Sequence, residues 1–365
     1  MNLLTRFLHR PSIAVRWTAD DWNRFVPLAR NARLLGRCLA LFEQHGLLET
    51  VPPRLHDQML GALQLTRYVQ GQALRELTHV TRVLHEAGIR VMALKGVAYL
   101  AADLPPRSWR NLSDIDVMVA ESDVVRAEQV LKRSGWIPSA DYDAYDQHYY
   151  RDWMHEVPPL VHCDRDVEVD LHHNLAPPVS RIRIDAALLW ETAVGVDHAS
   201  GAAIQVLAPT DMLLHNAIHL FMNDELRGGL RDVVDFRDLY EHFLAQDPAF
   251  EQRLTARAAQ LGCGRPLYYA MTTAQRLTGL QPSPATFDAV AMHAPTPLIR
   301  RSMHWLIEQT LAPAGIGLWR SALAQRLLFV RSHWVRMPLP LLLRHLWHKA
   351  RKRHVAATPI EETPG

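Results

Sequence analysis

At 365 residues, with 48% hydrophobic and 21% charged side chains, the chain is long enough for two or three packed modules and too apolar for wholesale disorder. Its three cysteines, Cys38, Cys163 and Cys263, are odd in number and far apart, which argues against a secreted disulfide framework and fits a reducing compartment. The net charge of +2 is a cancellation: no acid stands between Glu308 and Glu361, nine Lys/Arg do, and the remaining 31 basic against 38 acidic residues leave the rest at about −7.

No apolar run reaches the ~20 residues of a membrane-spanning helix. Met1–Arg10 lacks the pattern of a signal peptide. A soluble, cytoplasmic protein is expected. In chain order, Thr18-Ala19-Asp20-Asp21 reads as a capped helix start with acids in the first turn. From His56 to Ala87 the apolar residues Ala73, Leu77, Val80 and Leu84 keep helical spacing, and Gly88 ends the helix.

There the period changes from helical to alternating. Ile89–Leu94 reads as a strand closed by Lys95-Gly96, and Asp114–Val119 as a second strand. Ser122–Ser134 is helical up to Gly135, Pro158-Pro159 marks a turn between extended segments, and Val167–His172 is a further strand. Beyond Pro177-Pro178 helices are expected from Thr210 to Phe221 and near 230–244, 250–261, 264–278 and 296–310. The fold class is therefore α+β, a small mixed sheet embedded between helical regions, with divisions at 1–69, 70–180, 181–312 and a basic amphipathic segment at 313–365.

Ser113-Asp114-Ile115-Asp116-Val117 carries the most chemistry. Residues two apart in a strand point the same way, so Asp114 and Asp116 share a face about 7 Å apart while Ile115 and Val117 share the other. Two carboxylates held together repel unless a cation sits between them, and hard oxygen ligands suit Mg²⁺. Glu168-Val169-Asp170-Leu171-His172 is a second one-faced array that adds Asp170, with His172 beside it. His155 and His162 flank the Pro158-Pro159 turn and are candidates for the same cleft. His215 and His219, one helical turn apart, lack the Glu of a metalloprotease motif and read as core histidines, and Arg231–Asp235 reads as an i,i+4 ion pair.

Leu94-Lys95-Gly96, Arg110-Asn111-Leu112-Ser113-Asp114-Ile115-Asp116, His155 through His162 and Val169-Asp170-Leu171-His172, with a weaker helical echo through His215, His219 and Arg231-Asp232, together resemble an uncharacterised bacterial nucleotidyltransferase family of the DNA polymerase β-like superfamily. The resemblance implies Mg²⁺-dependent transfer (Mn²⁺ as a substitute ion) of a nucleoside monophosphate from an NTP, ATP before the others, to a hydroxyl of a small molecule or protein. It implies catalytic and metal-holding roles for Asp114, Asp116 and Asp170, and nucleotide contacts from Lys95, Gly96, Arg110 and Ser113. His172, His155 and His162 fall at the cleft or behind it. Val97 stands where the superfamily usually has Gly or Ser, so the triphosphate cradle differs from the common one. The alternative is a non-catalytic nucleotide-sensing or antitoxin-like interaction protein. The basic tail, with Trp319, Leu327, Phe329, Trp334 and Leu341–Leu343 among its cations, is compatible with a membrane surface, a nucleic-acid backbone or the chain's own acidic body.

Overall fold

The structure, a computed structural model, describes residues 1–197, 203–223, 226–312, 318–344 and 347, so the tail cations Lys349, Arg351, Lys352 and Arg353 lie outside it. Thr18 caps the helix Ala19–Asn31: its hydroxyl accepts from the Asp21 amide while the Asp21 carboxylate accepts from the Thr18 amide. With the helices Leu3–His9 and Leu35–Gln44 this segment encloses Phe7, Trp17, Trp22, Phe25 and Phe42, whose rings lie between 4.6 and 6.4 Å apart. A 34-residue helix, Pro53–Glu86, follows. Pro53 presets φ in its first turn. Gly88, at φ +71, ends it, with the Gly88 and Ile89 amides donating to the carbonyls of His85 and Leu84.

Seven strands form one mixed sheet: β1 Met92–Leu94, β2 Asp114–Met118, β3 Trp136–Pro138, β4 Leu160–His162, β5 Arg165–His172, β6 Val194–Asp197 and β7 Ala203–Val206. Their spatial order is β3-β4-β5-β2-β1-β7-β6, with β2/β5 and β1/β7 parallel and the other pairs antiparallel. Ile115, Val117, Val169 and Leu171 are wholly buried, on the face covered by the helices Pro53–Glu86 and Val124–Arg133. The alternate residues, Asp114, Asp116 and Asp170 among them, are thereby left on the other face.

The all-helical reading after Pro178 needs correction. The hairpin β6–β7 adds to β1, burying Ile204 and Val206, but four residues per strand are too few for alternation to stand out. Two short helices, Lys95–Ala101 and Pro284–Ala291, and the strand β3 also escape a periodicity reading for lack of length. The later helices are Pro209–Ile218, Leu230–Gln246, Phe250–Gln260, Gly264–Thr278, Pro297–Leu311 and Leu318–Arg336. A buried bidentate pair joins the helices Leu35–Gln44 and Leu230–Gln246: Arg37 donates twice to Asp238 at 2.8 Å, and the Trp109 indole donates to the same carboxylate at 3.3 Å. Among the described residues no helix is long and apolar enough to cross a membrane.

Candidate active site

The parallel pairing of β2 with β5 sets Asp114 opposite Glu168, Asp116 opposite Asp170 and Met118 opposite His172. Asp116 and Asp170 thus stand side by side on the face opposite those two helices, and β1 brings Leu94, and so Lys95, against Asp116 from the other flank. The Lys95 ammonium donates to Asp116 Oδ1 at 2.6 Å, and His172 Nε2 lies 3.0 Å from the same oxygen. Burial alone would raise the Asp116 carboxyl, but the Lys95 charge and the His172 hydrogen bond outweigh it and hold the group well below the usual carboxylate range. Burial likewise works against the Lys95 and His172 charges, and Asp116 overrides it, so both are raised.

Asp170 is the opposite case. Burial, then the neighbouring Asp116 charge, pushes its carboxyl up to about 8. Its Oδ1 is buried with no hydrogen-bond partner. An orphaned carboxylate oxygen beside a second carboxylate fits a hard cation such as Mg²⁺. Asp116, Asp170 and His172 bring one ligand atom each within 4.8 Å of one another. Asp114 stands apart from that trio, accepting from the Ser113 hydroxyl at 3.1 Å, and burial followed by the Asp116 charge raises its carboxyl too.

Lys95, not Gly96, carries the left-handed backbone of the turn, at φ +47. That conformation costs an L-residue roughly 1–2 kcal/mol, and here it aims the ammonium at β2. Gly96 is required for space: a Cβ there would meet Leu112 Cδ2 at 2.3 Å and Arg110 Nε at 2.9 Å. Gly96→Ala is therefore expected to cost about 1–3 kcal/mol through overpacking, read as a lower urea midpoint at unchanged slope. Arg110 is held from below by Gln70, whose amide donates to the Arg107 and Arg110 carbonyls at 2.8 Å each. Its guanidinium pairs with Asp232 at 3.1 Å and contacts Asp235.

The expected Arg231–Asp235 pair is therefore not formed in that way. Asp235 faces Arg110, because the helix Leu230–Gln246 turns that side toward the sheet and a deeply buried carboxylate takes the nearest guanidinium. Arg231 donates to the Asn111 carbonyl at 3.2 Å and keeps a buried, unpartnered Nε. The Arg110 charge, then burial, lowers it to about 10, so two guanidinium groups converge where an anion would relieve them. They line a pocket of about 90 Å³ together with Lys95, Gly96, Asp114 and Asp116. A larger cleft of about 480 Å³, between the helix Pro53–Glu86 and the start of β5, meets it at Leu112, Ser113 and Asp114.

The histidines divide. The ring of His155 lies 5.2 Å from that of His172, and Glu156 stands 3.4 Å from His172 Nδ1, near enough for attraction but not aligned as a hydrogen bond. His162 sits at the far end of β4, edge-on to Trp136, outside the Asp116–Asp170 group. His219 lines the small pocket, and burial, then the Lys95 charge, takes it down to about 3, a neutral imidazole. His215 is also held neutral by burial, and neither joins a metal-ligand group among the described residues.

The site residues that sequence reasoning passed over are Glu156, His219 and Arg231. For the last, the available signal was its place in the Arg231-Asp232 stretch of the motif set. No curated protein matches this chain. The matching family model covers residues 18–279, from the Thr18 cap past the Arg110–Asp232 contact, and the chain belongs to that family, described as uncharacterised nucleotidyltransferases.

Proposed function

We propose that this protein transfers a nucleoside monophosphate from an NTP to a hydroxyl acceptor with the help of Mg²⁺. The observation that supports the reading best is the in-register pair Asp116–Asp170, with its unpartnered oxygen, beside a pocket ringed by Lys95, Arg110 and Arg231. Asp114, Asp116 and Asp170 would hold the metal, which when bound offsets charge on the attacking and leaving oxygens. Arg231, the Gly96 amide and Ser113 carry the phosphates, with Arg110 setting the wall. Lys95 already sits at the pocket and supplies a further point charge. The acceptor enters by the larger cleft. Its oxygen forms the new bond to the α-phosphorus, the bond to the bridging oxygen breaks, pyrophosphate leaves, and Asp170 takes the hydroxyl proton.

Thermal unfolding with each of the four NTPs, with and without Mg²⁺, tests the donor side. At ~100 times Kd, ligand binding to the native state adds about 2.7 kcal/mol, a rise of a few °C. The reading fails if no NTP shifts the transition when Mg²⁺ is present. Binding without pyrophosphate release on supplying hydroxyl acceptors would point to a non-catalytic nucleotide sensor. The engagement of Asp116 by both Lys95 and His172 favours that second reading.

A further inference from the structure

The helix Leu318–Arg336 is apolar on two opposite sides. Ala324, Leu328 and Ser332, four residues apart, are buried against the body, where the helix meets Pro297–Leu311 and the segment His219–Asn223. Arg331, on the flank of that side, donates to the Phe221 carbonyl at 2.7 Å and lies over the Tyr269 ring. The described helix is thus held to the body by an apolar seam and a partly buried cation.

On the other side Trp319, Leu323, Leu327, Val330 and Trp334 recur at separations of four, four, three and four residues. That spacing makes one continuous stripe, and its members are 42–65% exposed. A helix face open to water carries polar residues; this one carries two tryptophans and three aliphatic side chains. Cations surround it. Arg320 and Arg326 flank the stripe on the same helix, Arg227 lies beside Arg326 and Val330, and the Arg181 guanidinium is 5.0 Å from the Trp334 ring. No acidic residue occurs from 309 to 360.

We propose that this face docks on an anionic lipid surface, the stripe entering the boundary between headgroups and acyl chains while the arginines meet the phosphates. Three features favour lipid over other occupants. Tryptophan at both ends suits a surface that is wet on one side and apolar on the other. A stripe with no polar residue in its line offers nothing for a nucleic-acid backbone to bond. The absence of any acid for some fifty positions complements a uniformly negative surface rather than the mixed charges of a protein. The helix would lie on the membrane, not cross it.

Flotation of the full chain with phosphatidylglycerol–phosphatidylcholine vesicles, against phosphatidylcholine alone, tests this. The protein should float with the anionic vesicles only, and less as salt is raised. Leu323→Asp with Val330→Asp should weaken partitioning about tenfold or more, and so should Arg320→Glu with Arg326→Glu, at an unchanged unfolding temperature, because all four side chains face outward. Failure to float, flotation indifferent to both double variants, or equal flotation with neutral vesicles overturns the proposal. So does a dimer in light scattering that the Leu323/Val330 variant dissolves, which would assign the stripe to a second copy of the chain.

Discussion

Asp116→Asn is expected to destabilise the protein and Asp170→Asn not to, while both abolish nucleotidyl transfer. Asp116 is the buried counter-charge of Lys95 and His172. Removing it strands a buried ammonium and costs about 3–5 kcal/mol. Asp170 has no such partner: one oxygen is orphaned and the facing carboxylate repels it. Its amide variant should leave the metal-free protein as stable as wild type or more so. Urea denaturation without metal reads the difference, and Mg²⁺ titration of the same variants reads the second consequence. Wild type should gain stability with Mg²⁺, and neither variant should. If Asp170→Asn destabilises the metal-free protein as much as Asp116→Asn does, the carboxylates share one structural role and the metal assignment falls.

The second large effect separates the two arginines of the small pocket. Arg110→Ala takes the cation from the buried Asp235 and leaves Asp232 only the more distant Arg231, and should cost about 3–5 kcal/mol in denaturant unfolding. Arg231→Ala removes a guanidinium that sits against the Arg110 charge, makes one backbone contact and stands 3.7 Å from Asp232, an acid Arg110 already holds, so its stability cost should stay within about 1 kcal/mol. Its Kd for Mg·NTP should rise about 10–100-fold, the equivalent of the roughly 1.5–3 kcal/mol of a hydrogen bond to a charged group. Equal losses of stability in the two variants would show that Arg231 is a structural cation like its neighbour. An unchanged nucleotide affinity would remove it from the phosphate site.

The stripe on the last helix shows why a charge reading of the tail was incomplete. Composition revealed a basic segment rich in Leu and Trp, and the acidic remainder was an obvious partner for it. Whether apolar residues face inward depends on which arc of the helix meets the body. Ala324 and Leu328 meet it; Leu323 and Leu327, one position away in each case, do not.

Features set within a few positions were readable along the chain. The capping box at Thr18, the stop at Gly88, the one-faced pairs Asp114/Asp116 and Asp170/His172, and the Lys95-Gly96 turn all follow from local backbone preferences and a period of two. What those carboxylates are was decided by neighbours from elsewhere in the chain. Lys95, 21 residues away, and His172, 56 away, converge on one oxygen of Asp116, while Asp170 beside it keeps an oxygen with no hydrogen-bond partner. Arg110 is taken by acids more than a hundred positions downstream, and Arg231 is left with the looser contacts, Asp232 at 3.7 Å and the Asn111 carbonyl. The strand pattern determines that the acids share a face; only the packed arrangement of charges in a medium that screens them poorly determines which acid is neutralised and which is left without a counter-charge.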